Sequence, residues 1–398
     1  MRVLMIAPEP FFEPRGTPFS ILNRVVSLAR QSIQVDLVTY PIGEDPKLPG
    51  VTLHRARRIP GIRHVPIGFS LRKLVLDFFL LIKACRLLAR NRYDLIHTHE
   101  EAALLGHWLA KRYDVPHLYD MHSNLLEQMR ASLLFRHGPL RWLGDRLQRA
   151  AVCNADAVIT ICPELESYVK QVAPDVPTVL IENMFDAFAE ETVSCDREAA
   201  RRRLGLGEQP VLLYTGTFEA YQGLDLVVQA APRVLALHPE ARFVLVGGTP
   251  VQVRKVQAAV VQVGVGEQVL FTGTVPAREI RSFIEMADVL LSPRRHGSNT
   301  PSKIYTYLRS GRPIVATNLQ THTQVLTPEI AVLTDSTPAG FAAGICELLD
   351  SPERRRTLGE RARAFAAAKF DTAIYHGNLS RIYHAAVHGN ASPAGTAT

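Results

Sequence analysis

Short runs of β-branched and aliphatic residues alternate with helical patterns along nearly the whole chain, and this alternation restricts the fold to the α/β class. The runs in the first half are RVLMIAP, VDLVTY, DLIHTH, HLYDMH and AVITIC, and those in the second are VLLYTG, RFVLVGG, VLFTGTV, VLLSPR, PIVAT and AVLTD. Continuous apolar strands separated by helices are typical of parallel sheets covered on both faces. We therefore predict two doubly wound, Rossmann-like domains.

The stretch between the two halves has no strand pattern until Val211, so we place a domain boundary near Asp186. A chain of 398 residues is too long for one ordinary domain and long enough for two cores. We expect an N-terminal domain over 1–186, a C-terminal domain over 187–370 and a disordered polar tail over 389–398. Two such domains facing each other would hold a ligand in a cleft, at the carboxyl ends of their strands.

The composition indicates the cellular compartment and the kinds of partner that suit the chain. Five scattered cysteines without a CxxC pair indicate a reduced, cytoplasmic chain, and the apolar start is too short for a signal peptide. A net charge of +7 favours acidic partners such as phosphates or anionic lipid. No aromatic-interleaved basic strand or helix-turn-helix supports nucleic-acid binding, and the absence of GxGxxG after either first strand disfavours a dinucleotide enzyme.

The stretch SPRRHGSNTPSKIYTYL carries the densest set of binding signals. Pro301 suits the first turn of a helix, with Thr300 or Asn299 as the N-cap. The free amides of a helix N-terminus, together with the helix dipole, suit an anion.

Cations accompany this predicted helix start. Arg294 and Arg295 precede it, and Lys303 lies in its first turn, three residues before Thr306 and therefore on the same face. Converging cations at a helix N-terminus are what a diphosphate needs. The alternative is a solvated basic loop.

Histidines end two successive strands. His97 and His99 are two residues apart on one strand, so they face the same side, and Glu100 follows them. His122 ends the next strand. Three histidines could suggest a metal, but no spacing here demands one, and strand-end histidines more often serve as hydrogen-bonding groups. We therefore predict that no metal is bound.

Glycines follow several strands and could let a ligand approach the backbone. Gly16 precedes the first helix, and Gly248 ends the strand RFVLVGG. A flat base could lie against such glycines and bond to the backbone near Val275. Tight-turn geometry is an equally good explanation of each glycine alone.

The segment from Arg55 to Arg92 holds ten basic residues and one acid, Asp77. Within it, the helix pattern over residues 70–90 has a broad apolar face and Ser70 as its cap. Its charges make it unsuited to span a bilayer, but a basic, Leu- and Phe-rich helix can lie on an anionic membrane surface. The alternative is a helix packed on the first sheet.

The order and spacing of these motifs resemble the family 4 retaining glycosyltransferases of the GT-B fold. The resemblance covers nearly the whole chain and rests on the Gly16 turn, HTHEE, DMHS, NADAVITIC, VLIENMFD, TGTFEAYQGLDLV, LVGG, FTGTV and PSKIYTYLRSGRPIVA. It implies a C-terminal domain that binds a nucleotide-diphosphate sugar and an N-terminal domain that binds the acceptor. It also implies that the last helix, about 371–388, packs back on the first domain.

The resemblance assigns several residues directly. His122 matches a histidine that contacts the donor sugar, Gly16 a glycine near the diphosphate, and Val275 a backbone contact to the base. His97, His99 and Glu100 are expected on the acceptor side, and Gly248 on the donor side.

Other positions depart from the family pattern. Thr217 stands where the family usually has an arginine, and Gln222 where it has a lysine. Thr306 replaces the glutamate that grips the ribose, and Ser298 lies where an earlier glutamate would fall. We expect these four residues to line the donor site nonetheless, together with Asn299 and Thr300.

The missing charges must be compensated if a nucleotide diphosphate is to leave. Arg294, Arg295 and Lys303 are placed to do so, because a charged hydrogen bond contributes about 1.5–3 kcal/mol. We expect His122 and Lys303 to be the catalytic residues of a retaining, metal-independent hexosyltransferase that needs no cofactor.

Its expected acceptor is a hydroxyl on a glycan or lipid-linked glycan, as in polysaccharide biosynthesis, at the inner face of the cytoplasmic membrane. A nucleotide-sugar-binding module without turnover is one alternative, and a sugar-nucleotide epimerase of the same fold is another.

Overall fold

The computed structural model describes residues 1–12, 16–62, 65, 70–124, 139–182, 197–297 and 299–389. The chain divides into two compact units, Met1–Ala187 with Thr372–Thr398, and Phe188–Asp371. The division falls next to the boundary predicted at Asp186. The predicted tail, 389–398, lies outside the described residues except for Gly389.

The first unit is built on a seven-stranded parallel sheet in the order β3-β2-β1-β4-β5-β6-β7. Its strands are β1 Arg2–Ala7, β2 Gln34–Thr39, β3 Val51–Arg55, β4 Leu95–His99, β5 His117–Met121, β6 Ala157–Thr160 and β7 Thr178–Leu180. Its helices begin with α1 Gly16–Arg30, α2 Leu71–Leu88, α3 Ala102–Tyr113, α4 Pro139–Cys153 and α5 Pro163–Val172. The central strands β4 and β5 are buried along their whole length, as their apolar runs predict.

The second unit has a six-stranded parallel sheet in the order β10-β9-β8-β11-β12-β13. Its strands are β8 Val211–Thr215, β9 Arg242–Val246, β10 Val269–Gly273, β11 Val289–Ser292, β12 Ile314–Thr317 and β13 Val332–Thr334. Its helices are α6 Arg197–Arg203, α7 Leu224–Leu237, α8 Pro250–Gln262, α9 Ile280–Met286, α10 Lys303–Ser310, α11 Gln320–Thr323, α12 Pro338–Asp350 and α13 Pro352–Lys369. The predicted class, two parallel α/β domains, is confirmed.

The last helix, α14 (Thr372–His388), belongs to the first unit and packs against β5, β6 and β7. Tyr375 and Tyr383 are its buried anchors, each 1% exposed. The chain therefore returns to the first sheet after completing the second.

Each sheet has a switch point where the strand order reverses, and the motif residues lie there. In the first unit, β1 and β4 are neighbours; in the second, β8 and β11 are neighbours. Connections from such a pair leave in opposite directions, which opens a crevice at the carboxyl ends of the strands. Several residues that the sequence assigned to binding follow β1, β4, β8 and β11, whereas His122, Gly248 and Val275 follow β5, β9 and β10.

Candidate functional site

The first site centres on Asp120, a carboxylate in β5 with no exposed surface. Arg24 of α1 donates from Nε to its Oδ2 over 2.8 Å. Three imidazoles surround the same carboxylate: His97 Nε2 lies 3.5 Å from Oδ2, His99 Nδ1 3.8 Å from Oδ2, and His122 Nε2 3.3 Å from Oδ1. The strands bring together the three histidines that the sequence selected.

The histidines also contact one another. The rings of His97 and His99 stack with centroids 4.5 Å apart, as expected for alternate residues of one strand. His99 Nδ1 and His122 Nε2 lie 2.9 Å apart. His97 Nδ1 lies 2.5 Å from the hydroxyl of Tyr383 in α14. The network therefore joins β4, β5 and the last helix.

Burial keeps these imidazoles neutral while Asp120 stays charged. Burial lowers the pKa of His122 to about 4 and holds the pKa of His99 well below its usual value. Burial alone would raise the pKa of Asp120, but Arg24 and then His122 oppose it and hold the pKa well below its usual range.

His97, His99 and Asp120 each offer one ligand atom, and these atoms lie within 4.8 Å of one another. The donor types suit a transition metal. The guanidinium of Arg24, however, already occupies Asp120 and would repel a dication. The geometry therefore fits a metal poorly.

Glu100 was expected on the acceptor side and is 3% exposed, with Ser123 Oγ donating to its Oε2 over 2.9 Å. Burial, and next the charge of Glu101, raises the pKa of Glu100 to about 8. Lys73 forms an ion pair with Glu101. As the side chains lie, neither Glu100 nor the fully buried His97 and His99 offer an acceptor appreciable surface, and their acceptor role stays a prediction.

The second site contains Lys303, the first residue of α10. The residue is half-buried, but its Nζ is shielded from solvent and has no hydrogen-bond acceptor among the described residues. The nitrogen lies 3.7 Å from the centroid of the Tyr214 ring. Burial, and then the charge of Arg294, holds the pKa of Lys303 well below its usual value.

Further unsatisfied polar atoms lie at the carboxyl ends of β8 and β11. Within the described part of the chain, Thr217 Oγ1, Gln222 Oε1 and Thr300 Oγ1 are buried without a hydrogen-bond partner. Buried polar groups are normally paired, so each unpaired one needs an explanation. All three residues were predicted to line the donor site.

The two arginines of this region already have partners. Arg294 donates to Asn299 O over 2.7 Å and stacks on Tyr221, 5.1 Å from its ring centroid. Arg295 pairs with Asp225 of α7 over 2.6 Å and also reaches Ser336 O. Arg295 is therefore neutralised where it stands, whereas Lys303 is not.

Helix α10 begins two residues later than the sequence suggested. Its N-cap position is held by Ser302, not by Thr300 or Asn299, so that expectation was wrong. The carbonyl of Pro301 instead accepts from Ile304 N over 2.9 Å, which closes a turn ahead of the helix. Thr306 is half-buried in the middle of α10, and Ser298 lies outside the described residues.

Glycines shape the remaining predicted contacts. Gly248 has φ +79°, and a Cβ there would lie 2.6 Å from the ring of Phe218. Thr274 Oγ1 donates to Gly248 O over 3.1 Å, which holds the loops after β9 and β10 together beside Val275. Gly16 begins α1, and a Cβ there would meet no described residue within 4 Å.

Helix α2 has one face packed and another exposed. Ser70 caps it by accepting from Lys73 N over 3.3 Å, as predicted. The buried face consists of Leu76, Leu80, Ala84 and Leu88. The exposed set contains Leu74, Val75, Phe78, Arg72 and Arg86 of α2, together with Arg90, two residues beyond its end. Lys73 is 7% exposed, so it does not belong to this exposed set. No helix within the described ranges is long and apolar enough to cross a membrane.

Comparison with known families matches both units. Residues 16–184 match the family described as "Glycosyl transferase 4-like domain", and residues 196–365 match "Glycosyl transferases group 1". Curated relatives include a D-inositol 3-phosphate glycosyltransferase of Xylanimonas cellulosilytica, 30% identical over 68% of this chain and 67% of the relative. A phosphatidyl-myo-inositol mannosyltransferase of Mycobacterium leprae is 24% identical over 96% of both chains.

Solved structures agree on the fold. Sucrose-phosphate synthase from Thermosynechococcus elongatus has a TM-score of 0.79 at 21% identity, covering 96% of this chain and 98% of its own. Anabaena HepE in complex with UDP-glucose has a TM-score of 0.73 at 18% identity, covering 97% and 100%. The fold is GT-B, and the chain belongs to the group 1 glycosyltransferases, the family 4 type that its motifs indicate.

Proposed function

We propose that this glycosyltransferase moves a hexose from a nucleotide-diphosphate donor to a hydroxyl of a glycan or lipid-linked acceptor, with retention and without a metal. The observation that carries the proposal is Lys303 Nζ, buried without a hydrogen-bond acceptor among the described residues. A buried cationic group is normally paired. In a group 1 glycosyltransferase, the diphosphate of the nucleotide-sugar donor is the anion that would pair with Lys303.

The donor site would combine Lys303 with the start of α10. The positive end of the α10 dipole favours an anion there, although the amides of Ile304 and Tyr305 already donate to Pro301 O and Ser302 O. Arg294 adds positive charge nearby, and Thr306 would bond to the ribose. The unpaired oxygens of Thr217 and Thr300, together with Gln222, would bond to the diphosphate or the sugar.

In the first unit, we assign His122 to the donor sugar, Gly16 to the diphosphate, and Glu100 to the acceptor side. The acceptor hydroxyl forms the new glycosidic bond, and the bond between the anomeric carbon and the diphosphate breaks. The leaving phosphate takes the acceptor proton. Lys303 and the positive end of the α10 dipole stabilise the charge that develops on that phosphate.

Metal independence is supported by charge. Lys303 and Arg294 offer the neutralisation that a leaving diphosphate needs, and Arg24 already balances the carboxylate of Asp120. Adding EDTA to the purified enzyme is expected to leave its turnover unchanged, whereas loss of activity that Mg²⁺ or Mn²⁺ restores would contradict this part of the proposal.

We also propose a cytoplasmic enzyme that attaches peripherally to anionic membrane through residues 70–90. Phe78 is 58% exposed on α2, beside exposed arginines, and α3 and α4 carry the exposed Trp108 and Trp142. Helix α3 contacts both α2 and α4. Exposed aromatic and aliphatic side chains beside cations suit the headgroup region of a bilayer.

The test is turnover of a panel of uridine, guanosine, adenosine and thymidine diphosphate sugars, with NMR of the product anomer. We expect release of the nucleoside diphosphate with retention, and His122→Ala should reduce turnover at least tenfold, about 1.4 kcal/mol of barrier. His384→Ala, at an exposed site on α14, is a folding control. Binding without release would favour the non-catalytic module, and conversion of the donor without an acceptor would favour the epimerase.

A further inference from the structure

The carboxylate of Asp120 lies next to the imidazole of His122, and the geometry of the two groups favours one tautomer of that histidine. His122 Nε2 lies 3.3 Å from Asp120 Oδ1 and 2.9 Å from His99 Nδ1. The neutral imidazole carries one proton, on either Nδ1 or Nε2, and the partner of one nitrogen decides the state of the other.

A proton on His122 Nε2 is favourable toward both neighbours. It is donated to the lone pair of His99 Nδ1 and points a positive edge toward Asp120. The opposite arrangement, with the proton on His99 Nδ1, would leave the lone pair of His122 Nε2 facing a charged carboxylate oxygen. That contact is repulsive, and in a buried site the repulsion is weakly screened.

His97 has the matching arrangement on the other oxygen of the carboxylate. Its Nε2 lies 3.5 Å from Asp120 Oδ2, and its Nδ1 lies beside the Tyr383 hydroxyl. The tyrosine hydroxyl can donate to Nδ1, which leaves the proton of His97 on Nε2, toward Asp120. Both histidines therefore turn an N–H to the same anion.

Asp120 is itself held rigidly. Arg24 Nε donates to it over 2.8 Å, and the same guanidinium donates to the Tyr375 hydroxyl over 2.7 Å and to the Ile181 carbonyl over 3.1 Å. Arg24 is 1% exposed. A carboxylate fixed in this way keeps its charge and its direction.

We propose that Asp120 and His99 are positioning residues that hold the proton of His122 on Nε2, so that Nδ1 presents a lone pair to a hydroxyl of the donor sugar. The inference rests on the proposed contact between His122 and the donor. It goes further by giving that contact a direction, since the sugar hydroxyl donates and the histidine accepts.

The tautomer can be measured directly in the wild-type protein. Two-bond ¹H–¹⁵N spectra of ¹⁵N-histidine-labelled protein distinguish protonated from bare ring nitrogens, and the His122→Gln variant assigns the signals of His122. We expect a protonated Nε2 and a bare Nδ1 near pH 7.5. A proton on Nδ1 would overturn the inference, whether or not the enzyme turns over any donor.

Kinetics supply a second test, with a matched control in the same sheet. Asp36, on β2, is also a buried aspartate that receives an arginine, Arg2, and contacts a histidine, His54, over 2.8 Å. Asp120→Asn should lower kcat at least about tenfold while KM for the donor changes less than about threefold. Asp36→Asn should lower Tm and leave kcat within about twofold.

The outcomes separate this inference from the proposed function. If no donor of the panel is turned over by wild type, the proposed function fails, and the tautomer is still decided by NMR. If wild type is active and a folded Asp120→Asn variant keeps its kcat, the positioning role is wrong. If Asp120→Asn does not fold, His99→Phe takes its place, since it also removes the acceptor of the His122 proton and should lower kcat in the same way.

Discussion

The Nζ of Lys303 lies 3.7 Å from the centroid of the Tyr214 ring, in a place where no carboxylate of the described residues pairs with it. A π face attracts a cation, but less strongly than an anion does. The arrangement stabilises Lys303 only partly and leaves its strongest interaction to a ligand.

The first prediction follows from the lowered pKa of Lys303. A bound diphosphate favours the ammonium form and raises that pKa, so binding takes up a proton between the two values. Affinity for UDP-glucose should therefore fall as pH rises through this interval, by at most about tenfold per pH unit. For this test UDP-glucose is a better probe than UDP, because the diphosphate of UDP-glucose does not change charge in that pH range.

Calorimetry of UDP-glucose in two buffers of different ionisation enthalpy measures the proton directly. Among the described residues, the groups that face Lys303 are Arg294, Tyr214 and His322, and none of them is expected to change its protonation between pH 7 and 8.5. Lys303→Met should bind more weakly and take up no proton. If wild type and Lys303→Met take up equal numbers of protons on binding, a group other than Lys303 causes the pH dependence.

The second prediction concerns acid stability. Burial lowers the pKa of His117 to about 3, of His322 to about 3 and of His122 to about 4, against 6.5 for exposed histidine. The unfolded chain binds more protons than the folded one between these values. Stability should therefore fall as pH drops below 6.5, by up to about 1.4 kcal/mol per pH unit for each histidine.

Urea unfolding at pH 7, 6 and 5 measures that slope. His117→Gln, whose amide reaches the position of Nε2 and can keep the contact to Thr98, should make the slope shallower, whereas substitution of the exposed His296 should not. A pH-independent free energy of unfolding between pH 7 and 5 would contradict the neutral, buried state of these histidines.

The third prediction concerns helix α2. Vesicles containing phosphatidylglycerol should bind the protein at low salt and release it as salt rises, because screening weakens exposed charges. Substitution of Arg72, Arg86 and Arg90 by glutamine should reduce binding, and so should Phe78→Ser. Co-sedimentation reports the bound fraction.

The matched control for α2 removes the same charge from the other unit, by Gln at Arg254, Arg356 and Arg361, which are all exposed. If that variant loses binding equally, net charge and not α2 explains the attraction. If wild type does not sediment with anionic vesicles at low salt, the exposed face of α2 has another purpose.

The sequence predicted the α/β class and the eleven strands with long apolar runs, because burial on both faces produces a pattern that is visible locally. It missed β3 and β7. Those strands lie at the sheet edges and are only half-buried, and β7 has three residues, so neither has a continuous apolar run.

Only the parts of the site that lie at the ends of strands could be predicted from the sequence. The grouping of His97, His99 and His122 follows from parallel strands ending at one edge. The role of Arg24 could not be predicted in this way. Arg24 bonds to a residue 96 positions away and resembles any polar residue of an amphipathic helix. Likewise, the helical spacing places Lys303 on a face but says nothing of how deeply its nitrogen is buried. A signal for Asp120 existed in DMHS, two residues before His122, where a charge in an otherwise apolar strand is costly unless it is paired.

The most direct test of the account is the binding of UDP and of uridine to wild type, Lys303→Ala and Thr306→Ala, measured by calorimetry. Lys303→Ala should weaken UDP binding about tenfold or more, the loss expected for one charged hydrogen bond, and leave uridine binding unchanged. Thr306→Ala should cost less, because a neutral hydroxyl contributes about 0.5–1.5 kcal/mol. If Lys303→Ala binds UDP as tightly as wild type, the compensating charge does not come from α10, and the proposed donor site is contradicted.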